Sequence, residues 1–223
     1  MECLLCGEPF QRLVSLSTVF RLTDEITLPI CPSCIANLTP IQGDTCPNCG
    51  REQQGTKRCM DCIYWQKQGL ELQNKAFYHY DSGFRAWLLL LKGQREQRLA
   101  RLFAYKLKNY AKQWPDYTWV PIPSSMDNYR QRGFHQTSCI LYWSQLPYLE
   151  LFLPPKTTAK QALQNRKERL ENTRQFELIP DAKLPKKVLL FDDVYTTGST
   201  LHQVLQVLED HGIETVRSMT LAR

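Results

Sequence analysis

Two sets of residues in this chain could do chemistry. The first is the stretch VLLFDDVYTTGST, residues 188–200, in which Asp192 and Asp193 stand between an apolar run and a cluster of hydroxyls. The second consists of eight of the nine cysteines, which form four C-x-x-C pairs near the start of the chain. Carboxylates accept hydrogen bonds from sugar hydroxyls, hydroxyl and amide donors hold phosphate, and paired thiolates bind metal ions.

The spacing of the cysteines predicts two structural zinc sites. A C-x-x-C turn places two thiolates on one side of an ion, so four pairs supply two tetrahedral sites. In CLLCG and CPNCG a glycine follows the second cysteine, and its tolerance of positive φ lets backbone amides face the sulfurs. We predict a double zinc ribbon over residues 1–65, with successive pairs combined. Its Zn²⁺ ligands would be Cys3, Cys6, Cys31 and Cys34 in the first site, and Cys46, Cys49, Cys59 and Cys62 in the second.

Other interpretations of the same cysteines stay open at this point: thiol redox chemistry, an iron–sulfur centre, and crossed pairing. Redox C-x-x-C motifs occur singly at a helix start beside a βαβ unit, which does not describe four pairs in one short segment. A site closed by four cysteines has no open position, so its ion folds the segment and catalyses nothing. Cys139 stands alone in an apolar helical stretch and is predicted to be a small core residue.

The elements that must position the acidic stretch begin near residue 76. From there to residue 223, short apolar strands alternate with amphipathic helices, which predicts an α/β domain with a parallel sheet covered by helices. Strands are predicted at 117–122, 187–191 and 215–221. Apolar residues at helical spacing predict helices over 99–107 and 201–208, and Gly212 is placed to end the second of these.

This arrangement puts the acidic stretch at the carboxyl edge of the sheet, where ligands of open α/β sheets bind. VLLF is predicted as a buried strand, with the acidic pair at its carboxyl end and a helix beginning near Ser199 or Thr200. The helix amides can hold a phosphate, and Gly198 allows close backbone approach. The hydroxyls that would share this role are those of Thr196, Thr197, Ser199 and Thr200.

Asp192 and Asp193 suit the vicinal hydroxyls of a ribose, while magnesium would be carried on a pyrophosphate. A sugar phosphate with adjacent hydroxyls therefore satisfies both halves of the stretch. The alternative interpretation is an acidic pair that only caps and solubilises a strand end.

Positive charge is concentrated in the middle of the chain. The whole chain carries a formal charge of +6, but residues 85–174 hold 16 Lys and Arg against 6 Asp and Glu, a balance of +10. Aromatic residues are interleaved with these cations, a combination that suits single-stranded nucleic acid, although many of the aromatics are needed for the core. Arg130 and Arg132 lie in a helical stretch of this segment, where exposed arginines are commonly just solvated.

The sequence also bounds where the protein acts. No apolar run reaches the roughly 18 to 20 residues that span a bilayer, and the start MECLLCGEPF lacks the basic and apolar regions of a signal peptide. We therefore expect a cytoplasmic protein without membrane insertion.

The stretch over 188–200 resembles the 5-phosphoribosyl-1-diphosphate (PRPP) signature of type I phosphoribosyltransferases. Nearly the whole chain is similar to the narrower ComF family of competence proteins. VPIPSSMDNYRQRGFHQ, residues 120–136, resembles the V-P-x-P and R-G-F-N-Q elements of that family, and residues 157–176 resemble its T-x-x-Q, R-x-x-N and terminal Phe pattern. The four C-x-x-C pairs and the final LAR fit as well. His135 stands where the family usually has Asn, so hydrogen bonding to a ligand there would depend on pH.

The resemblance implies a type I phosphoribosyltransferase-like fold and a role for each motif. Asp192 and Asp193 would take the ribose hydroxyls, and residues 196–200 the 5′-phosphate. The segment from Pro121 to Ser124 would face the pyrophosphate, and residues 161–172 would form a flexible loop that closes over the sugar.

Two functions follow from these observations. The first is the handling of single-stranded DNA during natural transformation, with a pocket for PRPP or a nucleotide with Mg²⁺, and with Arg130, Arg132 and His135 as candidate nucleic-acid contacts. The resemblance adds a helicase-like competence ATPase of the ComFA type as partner. The second is a phosphoribosyltransferase that acts on a nucleobase or another acceptor. No acceptor-base hood is evident and no residue is assigned a catalytic role, so we expect DNA handling and leave transfer activity open.

Overall fold

The computed structural model describes residues 1–11, 28–155 and 176–223. The loop predicted over residues 161–172 and the T-x-x-Q and R-x-x-N pattern lie outside the described residues. The elements in the described ranges are, in chain order, α1 (Pro32–Ala36), α2 (Met60–Lys67), β1 (Asn74–Tyr78), α3 (Ser82–Gly93), a 3-10 helix (Gln97–Phe103), α4 (Ala104–Ala111), β2 (Thr118–Pro121), α5 (Met126–Arg132), α6 (Gln136–Trp143), β3 (Lys187–Val194), α7 (Ser199–Asp210) and β4 (Thr215–Ala222).

The four strands form one parallel sheet in the order β1-β4-β3-β2. Because every strand runs the same way, their carboxyl ends share one edge, as predicted for the acidic stretch. The predicted strands at 117–122, 187–191 and 215–221 correspond to β2, β3 and β4. β3 continues three residues beyond its predicted end, so the acidic pair lies within the strand, with Asp192 opposite Thr220 of β4.

Alternate residues of β3 pack into different cores on the two faces of the sheet. Leu189 and Phe191 belong to a core formed with α3, the 3-10 helix, α4 and α6. Val188 and Leu190 belong to a second core, formed mainly with the apolar side of α7. Helices thus cover both faces, which confirms the predicted fold class and explains the uninterrupted apolar run of this strand.

The structure contains helices at both predicted positions. α7 begins at Ser199, as predicted, and ends at Asp210, shortly before Gly212 with φ +80°. The helix predicted over 99–107 consists of a 3-10 segment followed by α4, a distinction that apolar spacing over so short a stretch does not make.

The cysteine-bearing segment packs directly on the β1 edge of the sheet. The Ile41 amide donates to the Phe77 carbonyl at 2.9 Å, and the Asn74 amide donates to the Asn48 carbonyl at 2.6 Å. Gly50 has φ +72°, and a Cβ at this position would lie 3.1 Å from the Asn74 carbonyl oxygen. The predicted ribbon is therefore attached to the sheet by backbone hydrogen bonds and close packing.

Candidate functional site

The eight paired cysteines form two clusters with the predicted grouping. Cys3, Cys6, Cys31 and Cys34 make up the first, and Cys46, Cys49, Cys59 and Cys62 the second. Within each cluster, the sulfurs all lie within 4.8 Å of one another.

The geometry of both clusters fits a four-coordinate zinc ion. Tetrahedral Zn–S bonds of about 2.3 Å require sulfurs about 3.8 Å apart. The Cys6–Cys31 separation is 3.9 Å, and the Cys46–Cys62 and Cys49–Cys59 separations are both 3.6 Å. Gly7 and Gly50, which follow the second cysteine of their pairs, have φ of +76° and +72° as predicted.

Backbone amides face the sulfurs in both clusters. The amides of Leu5 and Cys31 donate to Cys3 Sγ at 3.4 and 3.3 Å, and the Cys59 amide donates to Cys46 Sγ at 3.4 Å. Such donors favour thiolates, the form that binds metal. Either cluster could hold zinc with all four positions filled by protein, which leaves no position for substrate.

We expect two zinc ions per chain in the purified protein, retained against dialysis, because eight thiolates close two sites. Elemental analysis of protein purified without added metal measures this stoichiometry. A value near one would contradict the two-site arrangement, and substantial iron after anaerobic purification would favour an iron–sulfur cluster instead.

The remaining cysteine, Cys139, is half-buried in α6, where burial raises the pKa of its thiol to about 11.

The acidic pair lies at the carboxyl edge of the sheet, with its members in different environments. Asp193 is buried, and its Oδ2 lies 2.7 Å from Lys92 Nζ of α3. Asp192 is half-buried, and its Oδ1 accepts from the following amide at 2.8 Å. Since successive strand residues point to opposite faces, only Asp193 is on the face of α3.

Asp192 is held in a setting that disfavours its charge. Burial raises the pKa of the Asp192 carboxyl well above its usual range, the neighbouring Asp193 raises it further, and Lys92 partly opposes both. Asp193 is therefore a carboxylate whose charge is balanced by Lys92, whereas the Asp192 carboxyl would be stabilised by a hydrogen-bonding partner.

The loop predicted to bind phosphate, or phosphate loop, comprises residues 195–200 and leads from β3 into the first turn of α7. Gly198 is the N-cap residue, with φ +82°, and has no side chain with which to cap the helix. The hydroxyl of Thr197 accepts from the Ser199 amide at 3.4 Å, while Thr196 and Thr200 are exposed. The start of a 12-residue helix with glycine at its N-cap, beside exposed hydroxyls, suits an anion.

Position 198 requires glycine because the Tyr195 side chain lies too close for a Cβ atom. A Cβ at this position would lie 2.2 Å from the hydroxyl oxygen of Tyr195, whose side chain is 2% exposed. The Tyr195 hydroxyl is buried and has no hydrogen-bond partner among the described residues.

The β2–α5 connection brings the predicted pyrophosphate segment to the same edge. Pro121 ends β2 opposite Phe191, and the buried Ser124 donates its hydroxyl to Gln136 Oε1 of α6. The Ser124 amide donates to His135 Nδ1 at 3.2 Å. Burial lowers the pKa of His135, so its neutral ring carries the proton on Nε2.

The two candidate arginines of α5 have different surroundings. Arg132 is half-buried, donates to Gln136 Oε1 at 3.0 Å, and has its charge near Asp193. Arg130 has a side chain 74% exposed and lies 3.8 Å from Asp127. Arg132 therefore lies near Asp193 at the carboxyl edge of the sheet, whereas Arg130 is on the open surface.

Several residues that build the site carried no recognisable signal in the sequence. Lys92 pairs with Asp193 from a helix about a hundred positions earlier. Trp65 and Arg223 contact the phosphate loop: Trp65 Nε1 donates to the Thr197 carbonyl at 2.9 Å, and Arg223 Nη1 donates to the Tyr195 carbonyl at 3.2 Å. Isolated residues of these types lack a local pattern, so only the topology brings them together.

A cavity of about 650 Å³ lies near the carboxyl end of α6. Arg101 lies over the Trp143 ring, with 4.9 Å between the guanidinium carbon and the ring centroid. Tyr142 also lines the cavity and is 65% exposed. Among the described residues, no helix combines the length and apolarity needed to cross a bilayer.

The chain is similar to several known proteins. A family model described as the phosphoribosyl transferase domain matches residues 159–223. Competence protein ComFC of Streptococcus pneumoniae is 32% identical over 223 residues, which cover 100% of both chains. Competence protein ComFC of Bacillus subtilis is 31% identical over 99% of this chain and 94% of its own.

Two further similarities are more remote. Competence protein F of Haemophilus influenzae is 26% identical over 80% of this chain and 84% of its own. A solved hypoxanthine-guanine phosphoribosyltransferase from Bacillus anthracis covers 56% of this chain and 66% of its own, with 16% identity and a TM-score of 0.34. That last similarity is too low to bear on the site.

Proposed function

Because this chain belongs to the ComFC family of competence proteins, we propose that it handles single-stranded DNA during natural transformation and binds PRPP, or a nucleotide with the same phosphorylated ribose, at the carboxyl edge of its sheet. The observation that carries the proposal is the convergence of the acidic pair, the Lys92 cation and the start of α7 at one edge of the sheet. We place this activity in the cytoplasm, with a helicase-like competence ATPase of the ComFA type as partner.

The pocket divides a sugar phosphate between two kinds of group. The phosphate loop supplies amides and hydroxyls for the 5′-phosphate, and the acidic pair accepts from the ribose hydroxyls. Pro121 and Ser124 would face the pyrophosphate. The Ser124 hydroxyl and Arg132 both donate to Gln136 Oε1, so the charge of Arg132 would be near that anion. When bound, Mg²⁺ would neutralise part of the pyrophosphate charge.

Single-stranded DNA would use the basic middle segment. Tyr105 and Tyr142 are 71% and 65% exposed, and Arg101 lies over Trp143 at the edge of the cavity. Lys108, also exposed, donates to Gln145 at the same cavity. Aromatic faces next to cations offer base stacking together with phosphate contacts, which is how proteins bind single strands without sequence preference.

Replacing Arg101 and Tyr142 together by Ala is expected to weaken binding of a single-stranded oligonucleotide about tenfold, because loss of one stacked base costs about 1 to 3 kcal/mol. Arg130→Ala should remove one phosphate contact and no stacking contact. It should therefore reduce the slope of log affinity against log salt concentration by about one. Fluorescence anisotropy at two salt concentrations measures both effects.

Lys186→Ala is the control, since its exposed side chain pairs with Glu214 at the opposite edge of the sheet. Wild-type protein that binds no oligonucleotide would contradict the DNA-handling proposal. Binding that is unaffected in both variants would show that the strand lies elsewhere.

The pocket is also compatible with transfer of the phosphoribosyl group to an acceptor. Pyrophosphate release from magnesium-PRPP that depends on an added nucleobase would make the chain an enzyme of that class. We expect PRPP binding without such dependence, because the cysteine-bearing segment, and not a base-binding hood, occupies the part of the chain before β1.

A further inference from the structure

We propose that Trp65 and Arg223 are positioning residues that couple the second cysteine site to the phosphate loop. Loss of metal from this site would then weaken phosphate binding, and bound phosphate would retain the metal. The inference rests on the proposed role of residues 195–200 in phosphate binding, and it adds a means by which that site is regulated.

Arg223 connects the second site to the loop through one guanidinium group. Its Nη2 lies 3.5 Å from Cys49 Sγ and 3.4 Å from Asp61 Oδ2. Its Nη1 donates to the carbonyls of Tyr195 and Thr196, and the guanidinium lies over the Tyr195 ring at 4.6 Å. One planar group therefore joins a metal-ligand sulfur to two consecutive carbonyls of the loop.

The charge of the cysteine site holds Arg223 in place. The Arg223 side chain is only 5% exposed, and a buried cation needs negative partners. Four thiolates around Zn²⁺ carry a net charge of about −2, and the ion holds the four sulfurs, including Cys49 Sγ, in fixed positions. Metal loss would free Cys49 Sγ to move away from the guanidinium, and the two loop carbonyls would lose a fixed anchor.

Trp65 provides a second connection, from the helix that the cysteines themselves organise. α2 follows Cys59 directly and contains Cys62, and Trp65 lies three residues further along the same side of the helix. Its Nε1 donates to the Thr197 carbonyl, and its ring stacks on His202 with centroids 4.2 Å apart. His202 Nδ1 is in turn 2.8 Å from the Gly198 carbonyl.

The first cysteine site offers a matched comparison within the same chain. Cys3 and Cys31 pack in the core on the other face of the sheet, together with α3 and the 3-10 helix. In the part of the chain that the structure describes, no hydrogen bond joins this site to the phosphate loop. The coupling should therefore be specific to the second site.

The test compares one half-buried ligand from each site, in otherwise full-length protein. Cys59→Ser should weaken binding of magnesium-PRPP at least about fivefold, which is the lower range of coupling between linked sites, whereas Cys34→Ser should leave it unchanged. Calorimetry measures the affinity, and circular dichroism checks that each variant is folded.

Two milder variants keep the test informative if Cys59→Ser does not fold. Trp65→Phe removes the Nε1 donor and retains an aromatic ring, and should weaken magnesium-PRPP about three- to tenfold. Arg223→Met should weaken it by a similar factor, and Arg223→Lys should restore part of the loss, because it keeps the charge but not the planar fork.

Coupling between two sites is reciprocal, so bound magnesium-PRPP should also slow the loss of zinc from the second site. A purely structural role of Trp65 and Arg223 would not produce this effect. Zinc extracted by a chelator should leave wild-type protein in two phases, which the Cys34→Ser and Cys59→Ser variants assign to their sites. Saturating magnesium-PRPP should slow the second-site phase at least about fivefold and leave the first-site phase unchanged, and Trp65→Phe should remove most of this effect.

Equal behaviour of the two sites would overturn the inference while leaving the PRPP pocket intact. The same holds if Trp65→Phe and Arg223→Met bind magnesium-PRPP like wild type. Failure of zinc-loaded wild-type protein to bind magnesium-PRPP at all would instead refute the pocket, and the coupling with it.

Discussion

Replacing Asp192 and Asp193 together by Asn is expected to weaken binding of magnesium-PRPP by at least about tenfold, in a protein that stays folded and keeps its zinc. Loss of one charged hydrogen bond to a ribose hydroxyl costs about 1.5 to 3 kcal/mol, and about 1.4 kcal/mol already corresponds to tenfold. Calorimetric titration of wild type and variant measures the change.

The single substitutions should separate the two carboxyls. Asp193→Asn leaves the half-buried Lys92 without its ion-pair partner and should destabilise the protein. Asp192→Asn should not destabilise it at neutral pH, because the pKa of Asp192 is raised in the folded protein. A raised pKa means that the protonated carboxyl is favoured, so its contribution to stability is present at low pH and is lost as the pH rises above the unfolded value of about 3.9.

Asp116→Asn is the control for this series, since it breaks an Asp–Lys contact of 3.6 Å at the opposite edge of the sheet. An exposed pair contributes about 0 to 1 kcal/mol, so neither stability nor ligand affinity should change appreciably. Unchanged affinity of the folded double variant for magnesium-PRPP would mean that the acidic pair is no ligand site.

Gly198→Ala should cause the second large loss, again at least about tenfold in magnesium-PRPP affinity. The new Cβ would lie 2.2 Å from the Tyr195 hydroxyl oxygen and 2.6 Å from its Cζ, so the loop or the ring must move. Tyr195 is buried under the Arg223 guanidinium and has little room to yield. Calorimetry measures the affinity, and thermal denaturation measures the accompanying loss of stability.

Gly133→Ala separates backbone strain from the clash. Gly133 follows α5 with φ +84°, nearly the same as at Gly198, but apart from its chain neighbours no heavy atom of the described residues lies within 4 Å of its added Cβ. Its substitution should cost only the strain of a left-handed residue, about 1 kcal/mol, with ligand affinity retained. Equal effects of the two substitutions would refute a specific role for the Tyr195–Gly198 contact.

Features with a local pattern were predictable from the sequence. The C-x-x-C spacing predicted four pairs, each with its own turn, and the combination of successive pairs, with crossed pairing left open, is the grouping that the structure shows. The apolar run before Asp192 predicted a buried strand, and the residues from Thr196 to Thr200 predicted the following helix start. Such features depend on residues a few positions apart.

Other features depend on contacts between residues that are far apart in the sequence. β1 was not predicted, since Asn74–Tyr78 is short, contains both charged and amide side chains, and forms the edge of the sheet beside the cysteine segment. Lys92 and Arg132 reach Asp193 only because α3 and α5 end near the carboxyl edge of β3. The opposite directions of Asp192 and Asp193 follow from strand alternation once the strand is known to continue past Phe191.

We propose that the carboxyl edge of this sheet binds a phosphorylated ribose. The most direct test of this proposal is calorimetric titration of zinc-loaded, full-length protein with magnesium-PRPP, beside the Asp192→Asn, Asp193→Asn double variant. We expect saturable binding of one ligand per chain to the wild type and at least about tenfold weaker binding to the variant. Absence of binding to the wild type, or equal binding to both proteins, would contradict it.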